Sequence, residues 1–178
     1  MKKVFVTRKL LKENEEKLKE LFDVKLNSDD KIYSAAEIIE GSKNFDGILS
    51  SVTDPINSDT ISKLSNSIKI IANGAVGFGN IDIKAAQEKG ITVTNTPDVL
   101  SECTADLAMT LMLMVARRAG EGEREVRDGQ WTGWRPTHLV GTKVSGKTLG
   151  IVGFGRIGQE MARRAHHGFG MKIVVHNR

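Results

Sequence analysis

The feature that most constrains this chain is the regular alternation of short apolar segments with segments of helical periodicity. The apolar segments show little alternation of polar and apolar residues, which is typical of strands buried on both faces. Strands of this kind, separated by helices, predict an α/β fold with a parallel sheet covered on both sides. We expect strands at 3–7, 24–26, 46–49, 68–72, 91–94, 148–152 and 171–176.

Helices are expected between these strands, and a junction after the fifth strand predicts a domain boundary. The turn-forming residues 95–98 separate a first domain, 1–99, from a second one, 100–178. The second domain opens with a long helix that has Ser101 as its N-cap. The first half of this helix is apolar on nearly all sides, which favours burial between domains or subunits, and its second half is charged. The predicted helices are 34–40, 59–64, 81–89, 101–128 and 157–167, with a further one after the first strand.

Composition excludes several classes of protein. Lys and Arg total 26 against 22 Asp and Glu, a mild excess spread along the chain that does not indicate nucleic-acid binding. Cys103 is the single cysteine, so a disulfide framework and a cysteine zinc cluster are excluded, and no metal site is expected. The longest apolar run, 107–116, has about half the length that a membrane span needs. We therefore expect a soluble, cytoplasmic protein.

A glycine-rich loop in the second half predicts a dinucleotide site. Gly153, Gly155 and Gly158 have the GxGxxG spacing between an apolar strand and a helix, and a second strand closes the βαβ unit. In such a loop the first glycine makes the tight turn, the second lets the backbone approach a pyrophosphate, and the third lets the helix pack on the strand. Arg156 and Ile157 lie within the loop and are expected to contact the cofactor. A glycine turn without a ligand is the alternative.

The residues at the end of the following strand predict which dinucleotide is bound. A carboxylate there would bind the ribose hydroxyls of NAD, but this chain has His176, Asn177 and Arg178. Arg178 can pair with a 2′-phosphate, and the absence of an acidic residue removes a repulsion against that group. We therefore predict NADP rather than NAD. The alternatives are NAD, and a surface arginine with no role in cofactor choice.

A second glycine cluster, residues 74–79, lies between a strand and a helix and lacks the dinucleotide spacing. Successive backbone N–H groups at such a turn can bind a small anion such as a carboxylate. The same residues fit a tight turn capped by Asp82, so both interpretations stay open at this point.

Three stretches of the sequence, taken together, resemble a known enzyme family. They are ANGAVGFGNIDIKAAQEKGITVTNTPDVL (72–100), the stretch GRIGQ in the glycine loop, and the strand that ends in HNR. This combination is similar to the D-isomer-specific 2-hydroxyacid dehydrogenases, and GQWTGWRPTHLVG (129–141) resembles their glyoxylate/hydroxypyruvate reductase branch. Gly79 departs from the pattern, since many members carry a polar residue at this position.

The resemblance implies a flavodoxin-like substrate domain at 1–99, lacking its C-terminal return, and the first part of a Rossmann domain at 100–178. It implies that backbone N–H groups of Val76 and Gly77 bind the substrate carboxylate, and that Thr104 lies near the nicotinamide end of the cofactor. Trp131 and Trp134 match a loop of the dimer interface. Trp134 is expected to reach the substrate pocket of the partner in a homodimer.

The family's chemistry is hydride transfer from a nicotinamide to a small 2-oxo acid. An arginine, a glutamate and a histidine from the family's second half assist it, so no catalytic residue is assigned in this chain. The resemblance implies an oxidoreductase that reduces glyoxylate or hydroxypyruvate with NADPH or NADH, the chain itself being an inactive fragment. The alternatives are a dinucleotide-sensing binding protein of the same fold and a decayed gene product. The histidines that do not match the catalytic one are His138, His166, His167 and His176.

Overall fold

The computed structural model describes residues 1–177. The chain divides into two compact units, with the boundary between Pro97 and Asp98. The first unit contains a five-stranded parallel sheet with the strand order β2-β1-β3-β4-β5. This confirms the predicted α/β class and the flavodoxin-like arrangement of its first part. The strands are β1 (Lys3–Val6), β2 (Asp23–Lys25), β3 (Gly47–Ser50), β4 (Ile70–Asn73) and β5 (Thr92–Thr94).

Three of the four helices of the first unit begin at side chains that satisfy free backbone N–H groups. Ser34 and Glu37 form a reciprocal capping box, Asn57 accepts from the Thr60 N–H, and Asp82 accepts from the Ala85 N–H. The four helices are α1 (Lys12–Leu21), α2 (Ala35–Gly41), α3 (Ser58–Lys63) and α4 (Ile83–Glu88). The core between sheet and helices consists mainly of Phe5, Ile38, Ile48, Ile56, Ile61, Ile68, Ile71 and Ile91.

Parallel pairing brings the carboxyl ends of these strands to one edge of the sheet, where α/β proteins bind their ligands. The loop after β3 and the turn 74–80 after β4 both leave the sheet at this edge. They are joined there by the Gly74 N–H, which donates to the Ser50 carbonyl at 2.8 Å. The fold thus exposes the second glycine cluster at the edge of the sheet that suits binding.

The second unit contains one parallel βαβ arrangement. Strands β6 (Thr148–Val152) and β7 (Lys172–His176) pair in parallel. The helix that connects them, here called α7 (Arg156–Phe169), packs against a long helix, α5 (Ser101–Ala116), around Met109, Ala165 and Met171. Between α5 and β6 lies a shorter helix, α6 (Ala119–Arg127).

The single long helix predicted at 101–128 is wrong, because the structure has α5 and α6 separated by a turn. Arg118 adopts a left-handed conformation (φ +54°) between them. The Ala116 carbonyl accepts from the Thr142 N–H at 2.7 Å, and the N–H of residue 120 does not donate to it as a continuous helix would require. The glycines at 120 and 122 also lower the helix propensity there. A returning segment therefore interrupts the helix.

The helix α5 also differs from the sequence prediction in its N-cap and in the burial of its apolar residues. The N-cap is Leu100, without a side-chain hydrogen bond, and Ser101 is the first helical residue. Ala105 and Met109 are buried, whereas Leu107 and Val115 are exposed, the latter by 80%. Coverage of this exposed face by another domain or subunit stays a prediction. Within residues 1–177, no helix combines the length and apolar character that crossing a membrane requires.

Candidate substrate- and cofactor-binding loops

The glycine loop of the second unit has the backbone geometry that a dinucleotide loop needs. Gly153 has φ +93°, which strongly favours glycine, and its N–H donates to the His176 carbonyl at 2.8 Å. A Cβ at position 158 would lie against the Gly153 carbonyl oxygen, far inside van der Waals contact. Gly153 therefore makes the turn, and Gly158 lets α7 approach β6.

The second glycine faces open space. Gly155 is the N-cap of α7, and a Cβ built on it meets no atom within 4 Å. No acidic residue occupies the first turn of α7, so the free N–H groups and the helix dipole are available to a negative ligand. Ile157 is partly exposed, and Arg156 pairs with Asp98 (Nε–Oδ1 2.5 Å) with both side chains largely solvated. The residues present therefore fit a dinucleotide pyrophosphate.

Asn177 lies directly after β7 and contacts the glycine loop. Its Oδ1 accepts a hydrogen bond from the Phe154 N–H at 3.2 Å. Since the backbone N–H can only donate, the carboxamide must face it with its oxygen, and its NH₂ group points elsewhere. Arg178, the other residue predicted to choose the cofactor, lies outside the described residues.

The turn 74–80 of the first unit presents backbone N–H groups. Val76 is half-buried and Gly77 is exposed, and no described residue accepts a hydrogen bond from the N–H of either. A Cβ on Gly77 would meet no atom within 4 Å. Asp82 also caps the following helix. The two interpretations of this cluster, a capped turn and a set of free backbone N–H groups, are therefore compatible. The geometry suits a small anion.

A cavity of about 280 Å³ opens at the same edge of the first unit. It is lined by Ser50, Ser51 and Gly74, and by the cationic side chains of Arg8 and Lys9. Arg8 Nη2 lies 3.0 Å from Asp30 Oδ2, so much of its charge is compensated locally. Val6, Leu10 and Leu49 add apolar groups to the lining, and the cavity is of a size for a small ligand.

Thr104 and the tryptophans lie in the second unit. Thr104 is half-buried in the first turn of α5. Trp134 is 82% exposed and Trp131 is also exposed, in an irregular segment between α6 and β6. His138 Nε2 of this segment lies 2.7 Å from Glu125 Oε2 of α6. The exposed aromatic rings are available for a partner surface, and their predicted roles stay predictions.

Comparison with known proteins decides the family. The profile of the D-isomer specific 2-hydroxyacid dehydrogenases, catalytic domain, matches residues 4–170. The chain belongs to this family. The resemblance drawn from its motifs is therefore confirmed.

Several relatives of this chain are named for glyoxylate reduction. It is 43% identical over 180 residues to the glyoxylate reductase of Thermococcus litoralis, covering 99% of this chain and 54% of that protein. It is 45% identical over 176 residues to the glyoxylate reductase of Korarchaeum cryptofilum, covering 98% and 52%. A solved structure from Polaromonas sp. JS6 66, assigned to the same family, has a TM-score of 0.93 at 40% identity and covers 100% of this chain and 56% of that one. The chain spans about half the length of the curated relatives it matches.

Two histidines of this 2-hydroxyacid dehydrogenase chain lie near the end of α7 and have structural contacts. His166 Nδ1 donates to the Met171 carbonyl at 3.0 Å, and its ring packs edge-on against His167. In the part of the chain that the structure describes, no group of His, Cys, Asp or Glu side chains is placed to hold a metal ion.

The sequence analysis did not find the polar side chains behind the turn 74–80. Asn73 is 2% exposed, and its Nδ2 donates to the Gly77 carbonyl at 2.9 Å. Asn95 Nδ2 donates to the Val76 carbonyl at 2.8 Å. An asparagine at the end of an otherwise apolar strand is the available signal, since a buried amide requires hydrogen-bond partners.

Proposed function

We propose that this chain supplies the carboxylate-binding turn and the dinucleotide loop of an NADP-preferring 2-hydroxyacid dehydrogenase. The enzyme reduces a small 2-oxo acid, such as glyoxylate or hydroxypyruvate, to the corresponding 2-hydroxy acid. The names of the relatives support the substrate class. The single observation that supports cofactor binding best is the glycine loop, with its left-handed Gly153, its open Gly155 and its close-packed Gly158.

The preference for NADP rests on Asn177 as well as on Arg178. Because its oxygen is held by the Phe154 N–H, the Asn177 carboxamide offers hydrogen-bond donors to a ligand. A 2′-phosphate accepts such bonds and carries charge, whereas the acidic residue that favours the ribose hydroxyls of NAD is missing from 176–178. Arg178, the next residue in the sequence, adds a positive charge.

In the proposed reaction the bound reduced nicotinamide supplies a hydride to the carbonyl carbon of the substrate. The N–H groups of Val76 and Gly77 bind the substrate carboxylate, Thr104 lies near the nicotinamide end, and Trp134 completes the pocket of the partner in a homodimer. The family's catalytic arginine, glutamate and histidine lie in its second half. We therefore expect the 178-residue chain alone to bind cofactor weakly and not to turn over. A cytoplasmic location belongs to the same proposal.

A chimera tests the proposal directly. This chain would be joined after Arg178 to the remaining segment of the Thermococcus litoralis glyoxylate reductase, and oxidation of NADPH by glyoxylate would be followed by absorbance. We expect turnover by the chimera and none by the 178-residue chain. A folded chimera that binds NADPH but reduces no 2-oxo acid would contradict the proposed enzymatic activity. It would favour the alternative, a dinucleotide-sensing protein. Turnover by the 178-residue chain alone would contradict the assignment of the catalytic residues to the second half.

A further inference from the structure

We infer that Asn73 and Asn95 are positioning residues for the substrate carboxylate. They fix the peptide orientations of the turn 74–80 so that its N–H groups face the ligand. This inference rests on the proposed function, because it concerns the turn to which that proposal assigns the carboxylate. Neither side chain needs to touch the substrate.

Three consecutive carbonyl groups of the turn are held by residues 73, 95 and 96 of the first unit. The Ala75 carbonyl accepts from the Thr96 N–H at 2.9 Å. The Val76 carbonyl accepts from Asn95 Nδ2 at 2.8 Å. The Gly77 carbonyl accepts from Asn73 Nδ2 at 2.9 Å. A backbone hydrogen bond and two asparagine side chains therefore fix three successive peptide planes.

The planar trans peptide converts these bonds into an orientation of the N–H groups. In each peptide the carbonyl and the following N–H point in opposite directions. Holding the carbonyls of residues 75, 76 and 77 on these three donors therefore turns the N–H groups of Val76, Gly77 and Phe78 away from the donors. None of these three donates to a described residue. By contrast, the Gly74 and Ala75 N–H groups are used, at the Ser50 and Asn73 carbonyls.

The carboxamide of Asn73 cannot turn over to present its oxygen to the turn, because the Gly77 carbonyl can only accept a hydrogen bond. The Ser50 hydroxyl donates to Asn73 Oδ1 at 3.0 Å, and both residues are buried. The Nδ2 of Asn73 also lies 3.4 Å from Asn80 Oδ1, and Asn80 Nδ2 donates to the Ser51 and Asp54 carbonyls. The buried amides thus connect the turn to the loop after β3. A preorganised set of donors loses no orientational freedom when the anion binds.

The inference requires an asparagine at position 95 because its NH₂ group donates to the Val76 carbonyl. Substitutions that remove this donor therefore test the inference. Alanine at position 95 removes the donor, and aspartate places a second acceptor against the Val76 carbonyl. In either variant the peptide between Val76 and Gly77 is free to reorient. Asn66, an exposed residue of the same unit whose side chain makes no hydrogen bond to a described residue, provides the matched control.

The test uses the uniformly ¹⁵N-labelled 178-residue chain and oxalate as the probe for a 2-oxo acid. Amide resonances are followed during titration of the wild type, Asn95→Ala, Asn95→Asp, Asn73→Ala and Asn66→Ala. We expect saturable shifts at Val76, Gly77 and Phe78 in the wild type. We expect oxalate affinity about five- to tenfold lower in the Asn95 variants, the loss of about one hydrogen bond. Asn66→Ala should bind like the wild type.

Two further readouts separate positioning from a general loss of structure. Amide resonances outside the turn should stay at their wild-type positions in the Asn95 variants, and the affinity of the glycine loop for NADPH should be unchanged. Should Asn73→Ala fail to fold, the two Asn95 variants alone decide. Folded Asn95 variants that bind oxalate like the wild type would overturn the inference and leave the proposed function intact. A wild-type chain whose turn amides do not respond to oxalate would overturn both.

Discussion

At the scale of single residues, each of the two proposed sites has an asparagine that is hydrogen-bonded to a backbone group. Asn95 holds the Val76 carbonyl and Asn177 accepts from the Phe154 N–H, one in each unit. An asparagine carboxamide has both a donor and an acceptor. Its neighbours therefore determine whether the NH₂ group or the oxygen is left for other partners. The glycine spacing alone does not reveal this dependence.

Replacing Asn177 by aspartate should shift cofactor preference toward NADH. The carboxylate keeps an acceptor for the Phe154 N–H, offers its second oxygen to the ribose hydroxyls, and repels a 2′-phosphate. We expect the ratio of NADPH to NADH affinity to fall by about tenfold or more in fluorescence titrations. Asn66→Asp, with the same change of charge in the first unit, serves as the control. An unchanged ratio in Asn177→Asp would contradict the role given to this side chain.

At the scale of helices and strands, the close approach of α7 to β6 explains why position 158 is glycine. Gly158→Ala would place a methyl group against the Gly153 carbonyl oxygen. We expect a loss of about 1–3 kcal/mol in the free energy of unfolding of the second unit. Unfolding can be followed by tryptophan fluorescence, since Trp131 and Trp134 both lie in this unit. Gly168→Ala on the same helix has open space and should unfold no more easily than the wild type; equal effects of the two changes would contradict this explanation.

The capping box of α2 predicts a pH dependence of stability in the first unit. The hydrogen bond from Lys31, followed by those from the Ser34 N–H and hydroxyl, lowers the pKa of Glu37 from 4.5 to about 2. A lowered pKa means that the stabilisation is complete above pH 4.5 and is lost as the pH falls toward 2. Glu37→Gln keeps the capping geometry without the charge. Circular dichroism should show a lower melting temperature for Glu37→Gln at pH 7, and the difference from wild type should disappear below pH 2. A constant difference at all pH values would contradict the charge-based account.

Sequence patterns were enough to predict some helices, strands and loop residues but not others. The strands were predictable because their apolar runs are buried by the parallel sheet, and the three glycines were predictable because each meets a separate steric demand. The break between α5 and α6 was not, since it depends on the Thr142 N–H, which reaches Ala116 from a distant part of the chain. Asn73 and Asn95 were missed for the same reason, because their partners are set by tertiary structure.

At the scale of the whole molecule, the chain exposes apolar surface in its second unit. In the described part of the chain β7 pairs only with β6, and Val174 is 58% exposed. An apolar strand edge of this kind promotes association between copies. We expect concentration-dependent association of the chain in sedimentation experiments. Val175→Lys should reduce it, because a lysine on an edge strand opposes pairing, whereas unchanged association would exclude this edge as the cause.

In the proposed function, residues 153–158 bind the pyrophosphate of a nicotinamide dinucleotide. The most direct measurement is an amide chemical-shift titration of the ¹⁵N-labelled chain with NADPH, with Gly155→Ala and Gly168→Ala as matched variants. Both variants have space for the methyl group in the free protein, but only Gly155 lies where the pyrophosphate must approach. We predict saturable shifts centred on 153–158 and Asn177, lost or weakened about tenfold in Gly155→Ala and retained in Gly168→Ala. Shifts that avoid this loop in the folded wild type, or that persist unchanged in Gly155→Ala, would contradict the claim.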